Sequence, residues 1–171
     1  KALLRQAGFQ VGRYKIRSVM RKLGLMCQQR QTFKVTTKHN EKHQVQPNLL
    51  NQNFQPWFAN EVWAGDITYI KTSQGWRYLA VVMDLFSRRI VGWSMAERMK
   101  ADLVIQALQQ AHVLRQPQYG CVFHSDRGSQ YTSRAFAKKA RQLKMRLSMS
   151  DVGCCYDNAV VERFFGSLKH E

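Results

Sequence analysis

Three acidic residues stand apart in a chain that is otherwise strongly basic. Asp66 lies in the middle of "VWAGDITYI", Asp126 follows the short apolar run "CVF" in "HSDRGSQYTS", and Glu162 sits in "VVERFFGSLK". Fifty-nine residues separate the first two and 35 the last two. Asp66 shares one face of an apolar, strand-like segment with Ala64 and Thr68. An unpaired carboxylate buried there costs several kcal/mol or takes up a proton, so it needs a partner or a function. Asp126 comes directly after a buried strand, where open α/β sheets place their reactive groups; otherwise it is a turn former before Gly128. Glu162 falls on a helical stripe with Asn158, Gly166 and Lys169, beside the apolar stripe Val161, Phe164, Phe165 and Leu168. Taken alone it reads as a solvated helix glutamate.

The setting of these acids sharpens the question. The chain has 171 residues, with 27 Lys+Arg against 11 Asp+Glu and a formal net charge of +16. Such an excess points to a polyanionic partner, because basic side chains displace the counterions condensed on a phosphate backbone. Residues 1–46 carry eleven Lys/Arg and one acid, Glu41. With no strongly amphipathic basic helix of membrane type, nucleic acid is the favoured partner over an anionic membrane surface. No run approaches the roughly 18 apolar residues of a membrane span, and the N-terminus lacks a secretory pattern, so a soluble intracellular protein is expected. Cys27, Cys121, Cys154 and Cys155 form no C-x-x-C and read as reduced thiols. His39 and His43 are four apart but lack partners for zinc, and read as structural or solvated.

Hydrophobic periodicity supplies the elements that must position the acids. Ile16, Val19, Met20 and Leu23 make one apolar face of a helix over 13–23, with Arg and Lys opposite and Gly24 at its end. A preceding helix tail in "KALLRQAGF" makes a helix-turn-helix one option and a plain two-helix appendage the other. Residues 27–55 are polar and read as a linker. Three strands then follow on short loops, "VWAGDITYI", "WRYLAVVMDLF" and "IVGWSM", and should form an antiparallel meander. A helix near 101–114, the strand "CVFHS", a helix over 133–143 capped by Thr132 or Ser133, the strand "MRLSM" and a last helix capped by Asp157 complete the order. That order predicts an α/β layer fold, a mixed sheet covered by helices.

The words around the acids resemble a known family. "VWAGDITYI", "GWRYLAVVMDLFSRRIVGW", "HSDRGSQYTS" and "CYDNAVVERFFGSLKHE" are similar to the DDE integrase-core transposases of bacterial insertion sequences, and more distantly to retroviral integrases. "PNLLNQNF" at 47–54 resembles the segment that leads into such a core, and "GRYKIRSVMRKLGL" the small helix-turn-helix domain upstream. The resemblance implies an RNase H-like, five-stranded mixed sheet flanked by helices. It implies Asp66, Asp126 and Glu162 as catalytic residues and ligands of two Mg²⁺ ions, with Mn²⁺ as a substitute. Two ions about 3.5–4 Å apart serve the attacking and leaving oxygens of phosphodiester transfer, and Mg²⁺ takes hard oxygen ligands. The implied reaction is metal-dependent cleavage at insertion-sequence ends, then strand transfer. The implied partners are double-stranded DNA, further copies of the chain and the product of a preceding reading frame, in the cytoplasm at the bacterial nucleoid.

Lys169 matches the family's basic residue seven positions after the glutamate and is expected to hold the DNA end; a solvated lysine is the other reading. Asn158 either orients substrate or stabilises the helix start. Arg13, Lys15, Arg17, Arg21 and Lys22 are expected to contact DNA from the first helix. Asp84 is expected to be structural, beside Arg88 and Arg89, and His124 to pack at a strand end. Trp57, Trp63, Trp76 and Trp93 are expected as core and turn aromatics, with base stacking as the alternative. Asp151 and Cys154 depart from the family's basic and amide residues and lower the positive charge there. The expected domains are a helix-turn-helix-like basic segment over 1–26 (N-terminally incomplete), a linker over 27–55 and a C-terminally truncated catalytic core over 56–171. An RNase H-like nuclease and a DNA-binding remnant without catalysis are the competing functions.

Overall fold

The structure, a computed structural model, describes residues 4, 6–25, 45–51, 53–151 and 159–169. The chain divides into two compact units, Lys1–Val35 and Thr36–Glu171. In the first, α1 spans Arg13–Lys22, where straight-chain and basic residues favour a helix. Gly24, at φ +66°, ends it: the Leu25 amide reaches back to the Met20 carbonyl at 2.9 Å. No residue of α1 is fully buried: on its apolar face Ile16 and Met20 are half-buried and Val19 is exposed. The linker residues 27–44 lie outside the described residues, as do Cys27, Cys154, Cys155, His39, His43 and the cap residue Asp157.

The second unit is a single five-stranded sheet. Strands β1 (Val62–Thr72), β2 (Gly75–Asp84) and β3 (Ile90–Ala96) form the expected antiparallel meander. Helix α2 (Ala101–Arg115), strand β4 (Val122–Ser125), helix α3 (Arg134–Gln142), strand β5 (Arg146–Met149) and helix α4 (Ala159–Leu168) follow. The order in space is β3-β2-β1-β4-β5, with β4 parallel to β1 and β5 parallel to β4. Ser133 caps α3 by accepting from the Phe136 amide at 3.2 Å.

The alternation along β1 splits the core between two layers, because successive side chains point to opposite faces. Trp63 and Ile67 join Ala80, Val82 and Phe123 beneath α2 and α3. Ala64 and Ile70 join Leu79, Val81 and Met83 on the other face, where Val161 and Phe165 of α4 cover them. Leu50 is buried in this second layer. The Leu49 amide donates to Ser148 Oγ at 2.9 Å and the Met149 amide to the Pro47 carbonyl at 3.3 Å. Residues 45–51, which the sequence places in the linker, therefore pack along β5. Leu50, buried where its neighbour Leu49 stays exposed, supplies the apolar anchor that a free linker would lack.

Two glycines allow the layers to close. Phe123 lies against Gly65, where an added Cβ would collide with its ring. At Gly92, beside the irregular pairing of Val82 and Met83 with β3, an added Cβ would collide with the Ala107 carbonyl and meet Ala111 Cβ at 2.7 Å. The obstruction is helix backbone, which cannot rotate away. Gly92→Ala should therefore destabilise the fold by about 1–3 kcal/mol, measured as a lower urea midpoint at unchanged slope; an unchanged midpoint would refute the close approach of α2 to β3.

Candidate active site

The sheet register brings the first two acids together. Parallel strands β1 and β4 pair Val62 with Val122 and Ala64 with His124. Continuing that register by two residues sets position 66 beside position 126. Strand β4 stops at Ser125, so beyond Ala64 the β4 side of β1 is open and Asp126 can turn towards it. Each aspartate is held through one oxygen. The Ile67 amide donates to Asp66 Oδ1 at 2.7 Å, and the Gly128 amide to Asp126 Oδ1 at 2.9 Å. Neither Oδ2 has a hydrogen-bond partner among the described residues. Glu162 comes from the third element: α4 packs on β1 through Val161 and Phe165, which leaves Glu162 exposed one residue along.

The electrostatics of the cluster follow from this packing. Burial first, and then the charges of Asp126 and Glu162, raise the Asp66 carboxyl from an ordinary 3.8 to about 8. The Ile67 amide and the Lys169 ammonium pull in the opposite direction. Asp126 is exposed at the strand end, yet the protein crowding its carboxyl raises its pKa too, against the Gly128 amide. Glu162 is raised by partial burial and then by Asp126. Asp126 and Glu162 thus act electrostatically on Asp66, and Asp126 on Glu162, from three elements: β1, the loop after β4, and α4. Tyr131 is buried beside it; burial raises its phenol, and Asp66 and Asp126 add to the shift.

The loop after β4 is fixed by ordinary polar contacts. Thr132 Oγ1 donates to the Gly128 carbonyl at 3.1 Å, and Gln130 Nε2 to the Met99 carbonyl at 3.1 Å. His124 is fully buried and bonds Ser148 Oγ at 2.8 Å, tying β4 to β5 as strand-end packing would. Arg127 Nε donates to the Ser150 carbonyl at 2.6 Å and its guanidinium pairs with Asp151 at 3.2 Å. The acid at 151 thus occupies a cation from the loop that carries Asp126.

Several residues fall elsewhere. Lys169 lies with the cluster, its Nζ 4.4 Å from the centroid of the Tyr69 ring. Asn158 is outside the described residues. Arg13, Lys15, Arg17, Arg21 and Lys22 are all exposed on α1, in the other unit. Asp84 is fully buried and accepts from the Asn60 and Ser87 amides and from Ser87 Oγ at 2.6 Å. Its charged neighbour is Arg115 at 3.9 Å, not Arg88 or Arg89: Arg88 reaches the Phe54 carbonyl instead. Of the four tryptophans only Trp63 is in the core; Trp57, Trp76 and Trp93 are exposed, because strand ends and the outer strand leave one face uncovered. The thiol of Cys121 is buried and pushed up to about 12, which makes it inert. Sequence reasoning passed over Tyr131 and Tyr69. A tyrosine five residues after Asp126 carries no pattern that marks it as facing the acids.

With the geometry in place, the comparisons are decisive about kinship. Residues 58–155 match the Integrase core domain family. The chain belongs to that family. It is 43% identical over 168 residues to "Transposase InsF for insertion sequence IS3A" of Escherichia coli (strain K12), covering 98% of this chain and 58% of that protein. It is 42% identical over 168 residues to "Insertion element IS600 uncharacterized 31 kDa protein" of Shigella sonnei, covering 98% and 62%. The chain thus spans about three fifths of the length of these relatives. Its fold is that of retroviral integrase cores. The chain in the simian T-cell lymphotropic virus intasome with PP2A regulatory subunit B56 gamma superposes with a TM-score of 0.63 at 24% identity, covering 81% of this chain and 48% of that one. The HTLV-2 integrase catalytic core domain in complex with magnesium gives 0.55 at 24% identity, covering 67% and 70%.

The donors suit a hard divalent cation. Two aspartates each present a free oxygen among the described residues, and their mutual repulsion is the conflict that a cation relieves. No three His, Cys, Asp or Glu side chains among the described residues stand close enough to grip one ion together. A Mg²⁺ ion needs only one or two carboxylates and keeps several waters.

A raised carboxyl pKa has a definite sign in stability. The contribution of Asp66 is fully present below pH 3.8 and is lost as pH rises towards about 8. Without metal, Asp66→Asn should therefore melt higher than the parent at pH 8 and about equally near pH 4, by about 2–4 °C for each kcal/mol relieved. Added Mg²⁺ should raise the melting temperature of the parent more than that of the variant. A parent no less stable than Asp66→Asn at pH 8 would show that the cluster is not strained.

Proposed function

We propose that this chain is the catalytic core of a DDE transposase, a polynucleotidyl transferase that cuts DNA at insertion-sequence ends and joins the freed 3′-hydroxyl to another phosphodiester. The observation that supports the reading is the register that sets Asp126 beside Asp66, with Glu162 of α4 within electrostatic reach of both, on an integrase-core sheet. The similarity to an insertion-sequence transposase along 98% of the chain supports the choice of substrate.

Each residue has a role that follows from its place. Asp66 and Asp126, fixed through Oδ1, would hold a divalent cation with their remaining oxygens. Glu162 of α4 would add a carboxylate to that site. Two Mg²⁺ ions, or Mn²⁺ in their stead, would supply the activation of the attacking oxygen and the charge stabilisation of the leaving one. Lys169, at the end of α4, places a cation beside Asp66 where a DNA phosphate would lie. Asn158, one helical turn before Glu162 in sequence, orients the DNA strand. Arg13, Lys15, Arg17, Arg21 and Lys22 form an exposed basic helix suited to the phosphate backbone, which positions DNA without reading its sequence. We assign residues 1–26 to such a DNA-contacting segment and the remainder of the catalytic reading to the second unit.

The partners follow the same reading: double-stranded DNA, further copies of the chain on that DNA, and the product of a preceding reading frame. The integrase relatives include an intasome and a dimeric core, which supports self-assembly here. The site of action would be the bacterial nucleoid. Among the described residues no helix is long and apolar enough to cross a membrane.

Strand cleavage of end-containing duplex DNA, followed on a denaturing gel, tests the assignment. Asp66→Asn, Asp126→Asn and Glu162→Gln should each lower Mg²⁺-dependent cleavage and joining by roughly 100-fold or more, while DNA affinity stays within about twofold and keeps a steep salt dependence. Cleavage that survives these substitutions, or persists in chelator, would refute the assignment.

A further inference from the structure

Trp76 and Tyr69 are large aromatics that the fold does not use for its core. They lie near the end of the β1–β2 hairpin, 57% and 47% exposed, and join neither buried cluster. Their rings meet edge to face, with centroids 5.4 Å apart and planes at 72°. The hairpin that carries them is closely defined. Thr72 Oγ1 donates to the Gly75 carbonyl at 2.7 Å and accepts from the Gln74 amide at 3.3 Å. Gly75 sits at φ +105°, a conformation that suits glycine. Lys71 pairs across the hairpin with Trp76 and is exposed.

The position of this pair relates it to the acidic cluster. Tyr69 is three residues beyond Asp66, so the two side chains leave β1 on opposite faces, and what links them is Lys169, which acts on Asp66 and holds its ammonium 4.4 Å from the centre of the Tyr69 ring. Lys169 makes no ion pair with an acid among the described residues, although it acts electrostatically on Asp66. A cation over an aromatic ring, a second ring standing beside it, and a nearby free lysine are the components that hold single-stranded nucleic acid: rings stack on bases while ammonium groups take the flanking phosphates.

We propose that Tyr69 and Trp76 form a stacking platform for one unpaired nucleobase of the DNA strand whose phosphate lies at Asp66 and Asp126, with Lys169 and Lys71 on the adjoining phosphates. The proposal rests on the strand-cleavage reading above and adds the substrate feature that it recognises. Stacking is tolerant of base identity because every base has a π-face, so the platform detects that a base has left the duplex rather than which base it is. It would hold a frayed or overhanging end in place next to the acids.

The test uses duplex oligonucleotides, blunt or with a short single-stranded overhang that contains 2-aminopurine, and the Asp66→Asn chain so that cleavage does not intervene. Binding should quench the overhang fluorophore. Tyr69→Leu/Trp76→Leu in that background should abolish the quench and weaken binding of the overhang DNA by about 5- to 100-fold relative to the blunt duplex. Tyr69→Phe/Trp76→Phe should retain both, which separates a stacking role from a folding role. The platform is overturned if the leucine variants quench and bind like their parent, if they lose blunt and overhang DNA equally, or if they alter only self-association. Quenching without any Mg²⁺-dependent cleavage by the unsubstituted chain would overturn the strand-cleavage reading and keep the platform. Cleavage with quenching unaffected by the leucine substitutions would do the reverse.

Discussion

Strands β1 and β4 pair over only three residue positions, and the chemistry of the molecule depends on what that short contact leaves open. A longer β4 would have covered the β1 edge with backbone hydrogen bonds and carried Asp126 onward in the sheet. Its end at Ser125 frees Asp126 to turn back through the Gly128 amide, beside Asp66. Two carboxylates so placed repel one another, and burial of Asp66 sharpens the conflict because charge is poorly solvated there. The fold is compelled to hold this arrangement by packing around it: Phe123 against Gly65, Tyr131 and Phe136 against Phe123, and α4 across the opposite face.

Strain at one place is supported by redundancy at others. His124 bonds Ser148, Ser150 bonds the Ser125 carbonyl, and Arg127 reaches the Ser150 carbonyl, so the ends of β4 and β5 move as one piece. The Pro47–Leu50 stretch docks on the same strand. Asp84, fully buried, contrasts with the half-buried Asp66. Every group its carboxylate meets is a donor: two amides, a hydroxyl and, at longer range, a guanidinium. One buried acid is satisfied and structural; the other is incompletely satisfied and surrounded by like charge. That difference, and not acidity or burial as such, marks Asp66 rather than Asp84 as the candidate functional residue.

If the chain acts on DNA as proposed, its strong positive charge and its acidic residues serve phosphate in two complementary ways. Lysines and arginines distributed over the surface favour a polyanion at long range. At short range the same excess would bury the reacting phosphate in monovalent cations, which neither activate a nucleophile nor orient it. A local acidic pocket selects multivalent cations instead. The exposed aromatics of the β1–β2 hairpin extend this logic from the phosphate to the base.

Much was legible before any coordinates. The antiparallel meander, the existence of β4 and β5 and each helix follow from periodicity and short turns, because a half-buried strand or helix must alternate in a fixed way. The acids at 66, 126 and 162 could be singled out because carboxylates are anomalous in or beside apolar segments of a basic chain. What only the tertiary structure decided was proximity: that Tyr131 is buried within electrostatic reach of both aspartates, that the Asp84 carboxylate has Arg115 as its charged partner while Arg88 and Arg89 meet it through the backbone, that Leu50 belongs to the core, and that Trp76 and Trp93 do not. Sequence pattern reports which face of an element is apolar, since that is a local periodicity. Which neighbour covers that face, and how far a strand pairs before its edge is left open, depends on chain segments tens of residues away, and no local period encodes them.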